Sequence, residues 1–448
     1  MVYARIFLCL LLACSMVSST ATANSVRRWQ AKSALKTALE SLRNLSTQGG
    51  YCGIYTERGM KHCTDEIKMK QMKQGHIWIE PPGTPSVGAA FLRAYRATKG
   101  KQFLEAAIEA GQALAWAQRV IGGWDYTCDI SHAKEGDAPV RKPGRCTFDN
   151  STTQAPLLFL ISLDKEVDEK WLNEAVELGL EFVTKAQYPN GAWPQRYPLA
   201  GGYTDFYTFN QGVINDCIRL MLEAHKAYGT KKYLETAQKG GDFILASMVS
   251  GKQPGWAQQY SKEMKPAWGR PIEPPGLCSL VTARNINTLT MLYVETGDEK
   301  YLKPIPAAVK WLQTSKISDN EWSRLYEVES NKPIYGGRNR KILYSIDNLT
   351  EKSRTSYVWH GPMEVNKAII RYNDLKKLGR EAFGKTQAGP MSETKRAARA
   401  KKLDPEVMKA AGGLDPQGRW MQGTEIHISD AVKNLNLLCE YLEVTAPK

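Results

Sequence analysis

Lys101-Gln102-Phe103-Leu104-Glu105-Ala106-Ala107 is the stretch that decides the fold, because its pattern occurs four times along the chain. In each copy an aromatic residue and a leucine open a helix after a short polar turn. The leucines of the four copies are spaced 68, 62 and 68 residues apart, at Leu104, Leu172, Leu234 and Leu302. That interval accommodates two helices, a connection and a loop. Helix pairs repeated at a nearly constant period predict an α/α toroid or solenoid.

A helix is also predicted ahead of most copies. Apolar residues recur there at spacings of three and four, as in Ile214, Cys217, Ile218 and Met221, which is the period of an amphipathic helix. Strand signals are sparse. The alternative is that aromatic–leucine pairs simply open many helices, but four copies at similar spacing argue against it. We expect helices over 88–98, 153–163, 213–228, 284–296 and 428–444, and a hairpin over 335–344.

The composition narrows the class of partner. The chain has 448 residues, 42% of them hydrophobic, and a formal net charge of +14. Such a charge favours a polyanion: nucleic acid, a membrane surface or an acidic polysaccharide. A basic tract rich in Ala, Lys and Arg, at about 384–403, is predicted to be a solvated helix or a mobile insertion rather than a ligand site.

The N-terminus resembles a secretory signal peptide. Arg5 precedes an apolar run over 6–17, and Ala21-Thr22-Ala23 offers a cleavage site. We therefore predict a signal over 1–23, a single domain over 24–448, and a secreted, monomeric protein; lipid attachment at Cys14 is the alternative. No later stretch is apolar and long enough to span a membrane. Export argues against nucleic acid and leaves acidic polysaccharide as the expected partner.

Seven cysteines follow the predicted cleavage site, an odd number that cannot all pair within the chain. Disulfides are predicted between Cys52 and Cys63 and between Cys128 and Cys146. The other three are expected to be small buried apolar residues: Cys217, Cys278 and Cys439. The spacings C-x-x-C and H-E-x-x-H do not occur, so we expect no zinc site.

Several motifs with polar and aromatic residues lie in the long segments between the predicted helices, which a toroid gathers at one end. They are Thr-Phe-Asp-Asn at 147–150, Asn-Gly-Ala-Trp-Pro-Gln-Arg-Tyr-Pro at 190–198, Tyr-Thr-Phe-Asn-Gln at 207–211, Pro-Ala-Trp-Gly-Arg at 266–270, Gly-Arg at 337–338 and Arg-Thr-Ser-Tyr-Val-Trp at 354–359. In this order, over about 122–359, they resemble the family 10 pectate lyases.

The resemblance implies an α/α toroid that cleaves polygalacturonate by calcium-assisted β-elimination. It implies Arg270 as the catalytic base and Asp149 as a calcium ligand. The family has an acidic calcium ligand where this chain has Gln211. A neutral amide can still ligate calcium through its oxygen, but with lower affinity. The residues implied to bind substrate are Arg338, Arg354, Tyr357, Trp193 and Asn210, with Tyr357 and Trp193 against sugar faces.

Residue chemistry alone suggests other roles for two of these residues. Arginine is effectively always protonated, so Arg270 would be a carboxylate clamp rather than a base. Asp149 is also a good N-cap for the helix that follows it. Asp205 and Asp216 are near Gln211 in sequence and would be the residues to compensate for its missing charge.

Two other functions stay open at this stage. One is a non-catalytic protein that binds acidic polysaccharide on the same scaffold, which Gln211 and the positive charge would suit. The other is a glycoside hydrolase, which needs two carboxylic groups across a cleft. Within the motifs only Asp149 and Glu273 are available for that chemistry.

Overall fold

The computed structural model of the chain describes residues 25–56, 63–65, 70–133, 139–355, 357–389 and 391–447. The predicted signal peptide over 1–23, with Cys14, lies outside these residues. Within them, every helix is too short or too polar to cross a membrane.

Fourteen α-helices make up about half of the described chain. They are α1 (25–45), α2 (Thr84–Thr98), α3 (Lys101–Ala117), α4 (Gln154–Asp164), α5 (Lys170–Lys185), α6 (Val213–Tyr228), α7 (Lys231–Ala246), α8 (Ser279–Thr296), α9 (Ile305–Thr314), α10 (Glu351–Thr355), α11 (Val365–Leu378), α12 (Arg380–Ala388), α13 (Glu393–Gly412) and α14 (Ile428–Val444).

These helices form an α/α toroid, as predicted. The first helices of successive pairs contact one another, α14 on α2, α2 on α4, α4 on α6, α6 on α8 and α8 on α11. The second helix of each pair packs outside its partner, as α3 does on α2, α5 on α4, α7 on α6 and α9 on α8. The apolar core lies between the two rings, so the loops at the N-terminal ends of the inner helices are free to build a site.

The strands are short and mostly occur as isolated pairs. One sheet of five, in the order β17-β18-β1-β2-β3, joins the two ends of the described chain, and β11, β12 and β16 form a sheet of three. The strands are β1 (Ile54–Thr56), β2 (Cys63–Asp65), β3 (Lys70–Met72), β4 (His76–Trp78), β5 (Thr127–Asp129), β6 (Cys146–Thr147), β7 (Arg196–Tyr197), β8 (Tyr207–Thr208), β9 (Gln259–Tyr260), β10 (Leu277–Cys278), β11 (Lys316–Ser318), β12 (Glu321–Ser323), β13 (Leu325–Tyr326), β14 (Tyr335–Gly336), β15 (Ile342–Leu343), β16 (His360–Gly361), β17 (Met421–Gln422) and β18 (Glu425–His427).

The predicted elements agree with this fold except in the fourth copy of the helix-opening pattern. The first three copies open α3, α5 and α7, but Leu302 follows a short 3-10 turn and α9 begins only at Ile305. Pro304 explains the delay, because proline cannot donate the main-chain hydrogen bond that a helix interior needs. The predicted hairpin is present as β14 and β15, and the closing helix is α14.

A tryptophan side chain forms a hydrogen bond with the C-terminal turn of several outer helices. The indole N–H of Trp124, Trp193, Trp322 and Trp420 donates to the main-chain oxygen ten residues earlier, at 2.8, 2.8, 2.6 and 2.8 Å. The last carbonyls of a helix have no partner within the helix, so these bonds satisfy them. The predicted contact of Trp193 with sugar is therefore wrong: its side chain is 0% exposed and belongs to the core.

The predicted disulfide between Cys128 and Cys146 is also wrong. Both are buried free thiols, on strands that pair with different partners, β5 with β4 and β6 with β7. Burial raises the pKa of Cys146 to about 12 and also raises that of Cys128. Cys217, Cys278 and Cys439 are buried as expected. The side chain of Cys63 lies outside the described residues, so its pairing with Cys52 stays a prediction.

The basic tract at 384–403 is largely helical, in α12 and α13. Helix α13 packs on α14, where Arg399 forms an ion pair with Glu440 at 2.5 Å. Arg396 donates to the main-chain oxygens of Val444 and Ala446, at 3.1 and 2.5 Å. Of the two predicted alternatives, a solvated helix or a mobile insertion, the structure shows a helix.

Candidate active site

Turns that share one main-chain hydrogen bond precede the inner helices α2, α4 and α6. They begin at Glu80, Asp149 and Asn210, and in each the main-chain oxygen accepts a hydrogen bond from the amide three residues later. The three side chains are 2%, 7% and 4% exposed. Because successive inner helices are neighbours, the turns lie side by side, and the turns 149–151 and 210–212 are in contact.

The second residue of two of these turns has left-handed backbone geometry. Asn150 has φ 49° and ψ 36°, and Gln211 has φ 54° and ψ 23°. Asparagine tolerates this region better than most residues, whereas glutamine is uncommon there. The geometry lets Asn150 donate its side-chain N–H to the Glu80 carboxylate. Gln211, next to Asn210, occupies the equivalent position one repeat later.

Asp149 presents a buried carboxylate oxygen that has no hydrogen-bond partner among the described residues. Its Oδ2 accepts the Tyr126 hydroxyl at 2.6 Å, while Oδ1 is buried and accepts nothing from the described residues. Burial and the charge of Asp149 raise the pKa of Tyr126. The alternative role of Asp149 as a helix cap is not realised, because the N-cap of α4 is Thr153. The unsatisfied oxygen therefore marks a place for a ligand or an ion.

Arg270 is held in place by Glu273. The Nε and Nη2 groups of Arg270 donate to Oε1 of Glu273 at 3.0 and 2.7 Å, and the Arg270 amide donates to Oε2 at 2.9 Å. The same Oε1 accepts Asn210 Nδ2 at 2.8 Å and the Tyr357 hydroxyl at 3.2 Å. Three predicted site residues thus meet at one carboxylate.

The charge state of this pair follows from its contacts. Burial alone would lower the pKa of Arg270, but the hydrogen bond and charge of Glu273 outweigh it, and the pKa lies above its ordinary value. Burial would likewise raise the pKa of Glu273, and the bonds to Arg270 outweigh that, so this pKa is lowered. Both groups are therefore ionised at neutral pH.

Charged side chains of both signs line one cavity of about 390 Å³ at this end of the toroid. It contains two carboxylates, three arginines and several neutral polar groups, namely Glu80, Asp149, Arg145, Arg196, Arg270, Tyr126, Asn150, Gln195, Tyr203 and Thr204. This mixture suits a ligand that carries carboxylates and hydroxyls.

Sequence reasoning missed four residues around this site. Glu80 precedes the recognised motifs, and Arg145 lies just before the first of them. Arg196 occupies the variable position of the motif 190–198, where its guanidinium lies 5.3 Å from the centre of the Tyr126 ring. Arg324 is buried with its guanidinium 4.2 Å from the centre of the Tyr357 ring. No motif marks Glu80 in the sequence, because the hydrogen bond that its turn shares with those at Asp149 and Asn210 is a feature of the folded backbone.

Two predicted substrate-binding arginines lie apart from the cavity lining. Arg338 is exposed in the turn of the β14–β15 hairpin, and Arg354 is exposed in α10, where it donates to the Asp347 oxygen at 3.2 Å. The hairpin does approach the site, because Gly336 packs against the main chain of Ile272, two residues after Arg270. Arg338 is thus placed near the rim of the site rather than within it.

The two acidic residues near Gln211 have partners of their own. Asp205 accepts the main-chain amides of Ala200 and Gly201, the closest at 2.6 Å. Asp216 accepts the Ser151 hydroxyl and lies 3.8 Å from Arg219. Gln211, Asp205 and Asp216 are all absent from the lining of the cavity that contains Asp149. Gln211 belongs to the turn that contacts the turn of Asp149, whereas both aspartates are engaged elsewhere, so compensation for Gln211 by either is not supported.

A larger cavity of about 790 Å³ lies between α6, α8 and α11. Four of its charged groups form pairs, Arg284 with Glu364 at 2.9 Å and Asp216 with Arg219 at 3.8 Å. The smaller cavity, with the unsatisfied oxygen of Asp149, is the better candidate for chemistry.

The residues around Asp149 fit a calcium ion held by few charges. Calcium takes six to eight oxygen ligands, and Asp149 Oδ1 offers one that no other group in the described part of the chain uses. Across the described ranges, no three His, Cys, Asp or Glu side chains are grouped closely enough to hold a metal. Amide and main-chain oxygens and water would have to complete the coordination.

The chain belongs to the pectic acid lyase family. The sequence model of that family matches residues 118–321 and 318–368, more than half of the chain, including Asp149, Asn210, Arg270 and Glu273. By family, the protein is thus a polysaccharide lyase. No curated protein is significantly similar to it in sequence.

Two solved structures share its fold. The family 10 polysaccharide lyase from Cellvibrio cellulosa is 22% identical, with a TM-score of 0.52, over 66% of this chain and 97% of that one. A mutant of that lyase in complex with trigalacturonic acid gives the same identity and TM-score, over 66% of this chain and 98% of that one. At this identity the similarity shows the fold alone.

Proposed function

We propose that the protein cleaves polygalacturonate by calcium-assisted β-elimination. The observation that carries the proposal is the convergence of Arg270, fixed by Glu273, and the unsatisfied oxygen of Asp149 on one cavity within the family-matched segment. The complex of the Cellvibrio cellulosa relative with trigalacturonic acid supports an acidic polysaccharide as the substrate class.

The reaction removes the proton at C5 of a uronate and breaks the bond from C4 to the glycosidic oxygen. A double bond forms between C4 and C5, and the departing oxygen takes a proton from solvent. Negative charge develops on the uronate carboxylate during proton removal. Positive charge that is already in place stabilises that transition state more than the substrate, and so accelerates the reaction.

Arg270 is the residue we place at the reacting uronate. Its resemblance to the family's catalytic arginine supports a role as proton acceptor at C5. The raised pKa of its guanidinium opposes that role while Glu273 holds it. A base role therefore requires substrate to separate Arg270 from Glu273, whereas a role as the positive partner of the carboxylate needs no such change.

Asp149 and Gln211 are the residues proposed to hold calcium, with Asp149 supplying Oδ1 and Gln211 its amide oxygen. Bound calcium would supply positive charge beside the uronate carboxylate. Arg338, near the rim, and Arg354 are proposed to hold neighbouring carboxylates. Tyr357 is half-buried and is proposed to contact a sugar ring. Asn210 acts through Glu273 and so positions Arg270.

Secretion and a monomeric state are proposed alongside. The resemblance of residues 1–23 to a signal peptide supports export, which would bring the enzyme to a polymer outside the cell. The net charge of +14 supports attraction to that polyanion.

An elimination assay tests the proposal. Purified protein is mixed with polygalacturonate, with calcium or a chelator, and the ultraviolet absorbance of the unsaturated product is followed. Arg270→Ala should abolish the signal. Arg96→Ala, which removes an arginine paired with Glu166 at the other end of the helices, is the matched control and should retain it. Absence of unsaturated product from the wild type under all conditions would refute the lyase assignment.

The assay also separates the two roles of Arg270. A base with a high pKa gives a rate that rises with pH over the whole range in which the protein stays folded, and Arg270→Lys should change that profile. A positive partner gives no such rise, and Arg270→Lys should retain part of the activity because lysine keeps the charge.

A non-catalytic acidic-polysaccharide-binding protein is the second candidate. The neutral Gln211 and the three arginines in the cavity favour it. It predicts polymer binding that salt weakens, with no unsaturated product. A glycoside hydrolase is not favoured, because Glu273 is committed to Arg270 and its lowered pKa is the reverse of what a general acid needs.

A further inference from the structure

We infer that Glu80 is the second carboxylate of the cation site and supplies the negative charge that Gln211 lacks. The inference rests on the proposed function, because it concerns the ion that this reaction would use. Glu80 lies outside the family-matched segment, which begins at residue 118. The family motifs therefore give no reason to select it.

The position of Glu80 in the fold carries the first part of the argument. Glu80 begins the turn before α2, and Asp149 begins the turn before α4. In each turn the main-chain oxygen of that residue accepts a hydrogen bond from the amide three residues later, at 2.8 Å for Glu80 and 3.0 Å for Asp149. Both side chains are at least nine-tenths buried, and both line the same 390 Å³ cavity. The toroid thus places two carboxylates in the turns before neighbouring inner helices.

The unsatisfied oxygen of Asp149 carries the second part. Asp149 is 7% exposed, and its Oδ1 has no hydrogen-bond partner among the described residues. Glu80 lines the same cavity, so an ion bound to Oδ1 has a second carboxylate available there. A divalent ion bound to both residues would satisfy Oδ1.

The number of negatively charged ligands also favours Glu80 as a ligand of the ion. With Gln211 neutral, Asp149 alone would give a calcium site a single negative charge, and calcium affinity depends on the number of charged ligands. Glu80 raises the count to two. Asp205 and Asp216 do not serve, because each accepts hydrogen bonds from other groups.

A purely structural role for Glu80 is the competing explanation. Asn150 donates to its carboxylate, and this contact by itself could hold the left-handed residue in place. A structural role predicts that removing the charge of Glu80 changes stability but not calcium affinity. The two explanations thus differ in a binding measurement that does not depend on activity.

Calorimetric titration of the purified protein with calcium chloride makes that measurement. Glu80→Gln should weaken calcium binding by about tenfold to a hundredfold. The matched control is Glu166→Gln, the same change in an ion pair at the opposite end of α2 and α4, and its affinity should equal that of the wild type. Adding Gln211→Asp to Glu80→Gln should restore binding. Unchanged affinity in Glu80→Gln would overturn the inference.

Anomalous diffraction from wild-type crystals soaked with terbium or manganese tests the same point without a variant, and it decides the case if Glu80→Gln does not fold. An ion within about 2.6 Å of oxygens of both Glu80 and Asp149 is the expected result. An ion on Asp149 that does not contact Glu80, or no ion at either residue, refutes the inference. The elimination assay reports separately on the proposed function, since unsaturated product would form whichever carboxylates hold the ion.

Discussion

The turn at Asp149–Ser151 and the turn at Asn210–Gly212 have nearly the same backbone and different chemistry. Each is a short 3-10 turn before an inner helix, with its second residue at φ 49° or 54°. The first turn carries a carboxylate with an unsatisfied oxygen, whereas the second carries an amide that donates to Glu273 at 2.8 Å. One turn offers charge to the cavity, and the other positions Arg270 through Glu273.

This difference shows how a repeated fold acquires a single site. The toroid copies a backbone that brings polar residues to the same end of successive helices. Whether such a residue binds a ligand or only positions another side chain depends on whether it is an aspartate or an asparagine. The two differ by one oxygen in place of one nitrogen. Function therefore lies in single side chains on a scaffold that the repeats specify.

Asp149→Asn makes the two turns alike and should have the largest effect. We expect the catalytic efficiency of elimination to fall about a thousandfold, since removal of one charge-stabilising group costs roughly 10²–10³. Calcium affinity, measured by calorimetry, should fall with it. Stability should change little, because the Tyr126 hydroxyl can still donate to the amide oxygen. If both activity and calcium affinity stay at wild-type levels, the metal assignment is wrong.

Glu273→Gln disturbs the other half of the comparison, because it removes the negative partner of Arg270. We expect about a hundredfold lower catalytic efficiency, and about 2 kcal/mol less stability at pH 7, because Arg270 loses its charged partner while its side chain, 40% exposed, keeps contact with water. Denaturant unfolding provides the second measurement. The control variant Glu166→Gln breaks an exposed ion pair. It should lower the free energy of unfolding by less than about 1 kcal/mol.

The stability lost in Glu273→Gln should depend on pH with a definite sign. The pKa of Glu273 is lowered in the folded state, so its contribution to stability is present above the unfolded pKa of about 4.3 and is lost as the pH falls through the folded value. The stability difference between wild type and Glu273→Gln should therefore narrow below about pH 4. A difference that is constant down to pH 3 would contradict the lowered pKa.

The sequence was sufficient for the toroid because periodicity reports which face of a helix is buried. The spacing of Leu104, Leu172 and Leu234 predicted the repeats, and the motifs at 147–150 and 207–211 predicted the two turns. The exception at Leu302 follows from Pro304, because a proline two residues after the leucine delays the start of the helix.

The site was less predictable because side-chain direction depends on packing. Trp193 lies in a motif between polar residues and was assigned to a sugar face, but its indole closes the end of α5. The same Trp, ten residues after a helix carbonyl, recurs at Trp124 and Trp322, and that recurrence was the signal of a structural role. Glu80 and Arg145 reach the cavity from other loops, which only the assembled ring brings together.

Gln211→Asp sharpens the comparison by adding charge to the second turn. We expect calcium to bind about tenfold more tightly, because one more charged ligand faces the ion. The matched variant is Asn150→Asp, the same change at the equivalent position of the first turn. It sets a carboxylate against Glu80, which Asn150 now holds, and should lower stability. Calorimetry and denaturant unfolding of both variants provide the test, and equal effects at the two positions would contradict the assignment of different roles.

Gln211→Gly should have the smallest effect and isolates the backbone from the side chain. Glycine removes the strain of a glutamine with left-handed backbone geometry, but it also makes the unfolded chain more flexible. We therefore expect the free energy of unfolding to rise by about 0.5 kcal/mol. Asn150→Gly relieves similar strain and also loses the hydrogen bond to Glu80, so it should instead cost about 1 kcal/mol. If the Gln211 amide oxygen is a calcium ligand, Gln211→Gly weakens calcium binding although the protein becomes more stable. Calcium affinity that stays unchanged in Gln211→Gly would leave residue 211 with a backbone role alone, and Asp149 with Glu80 as the charged ligands.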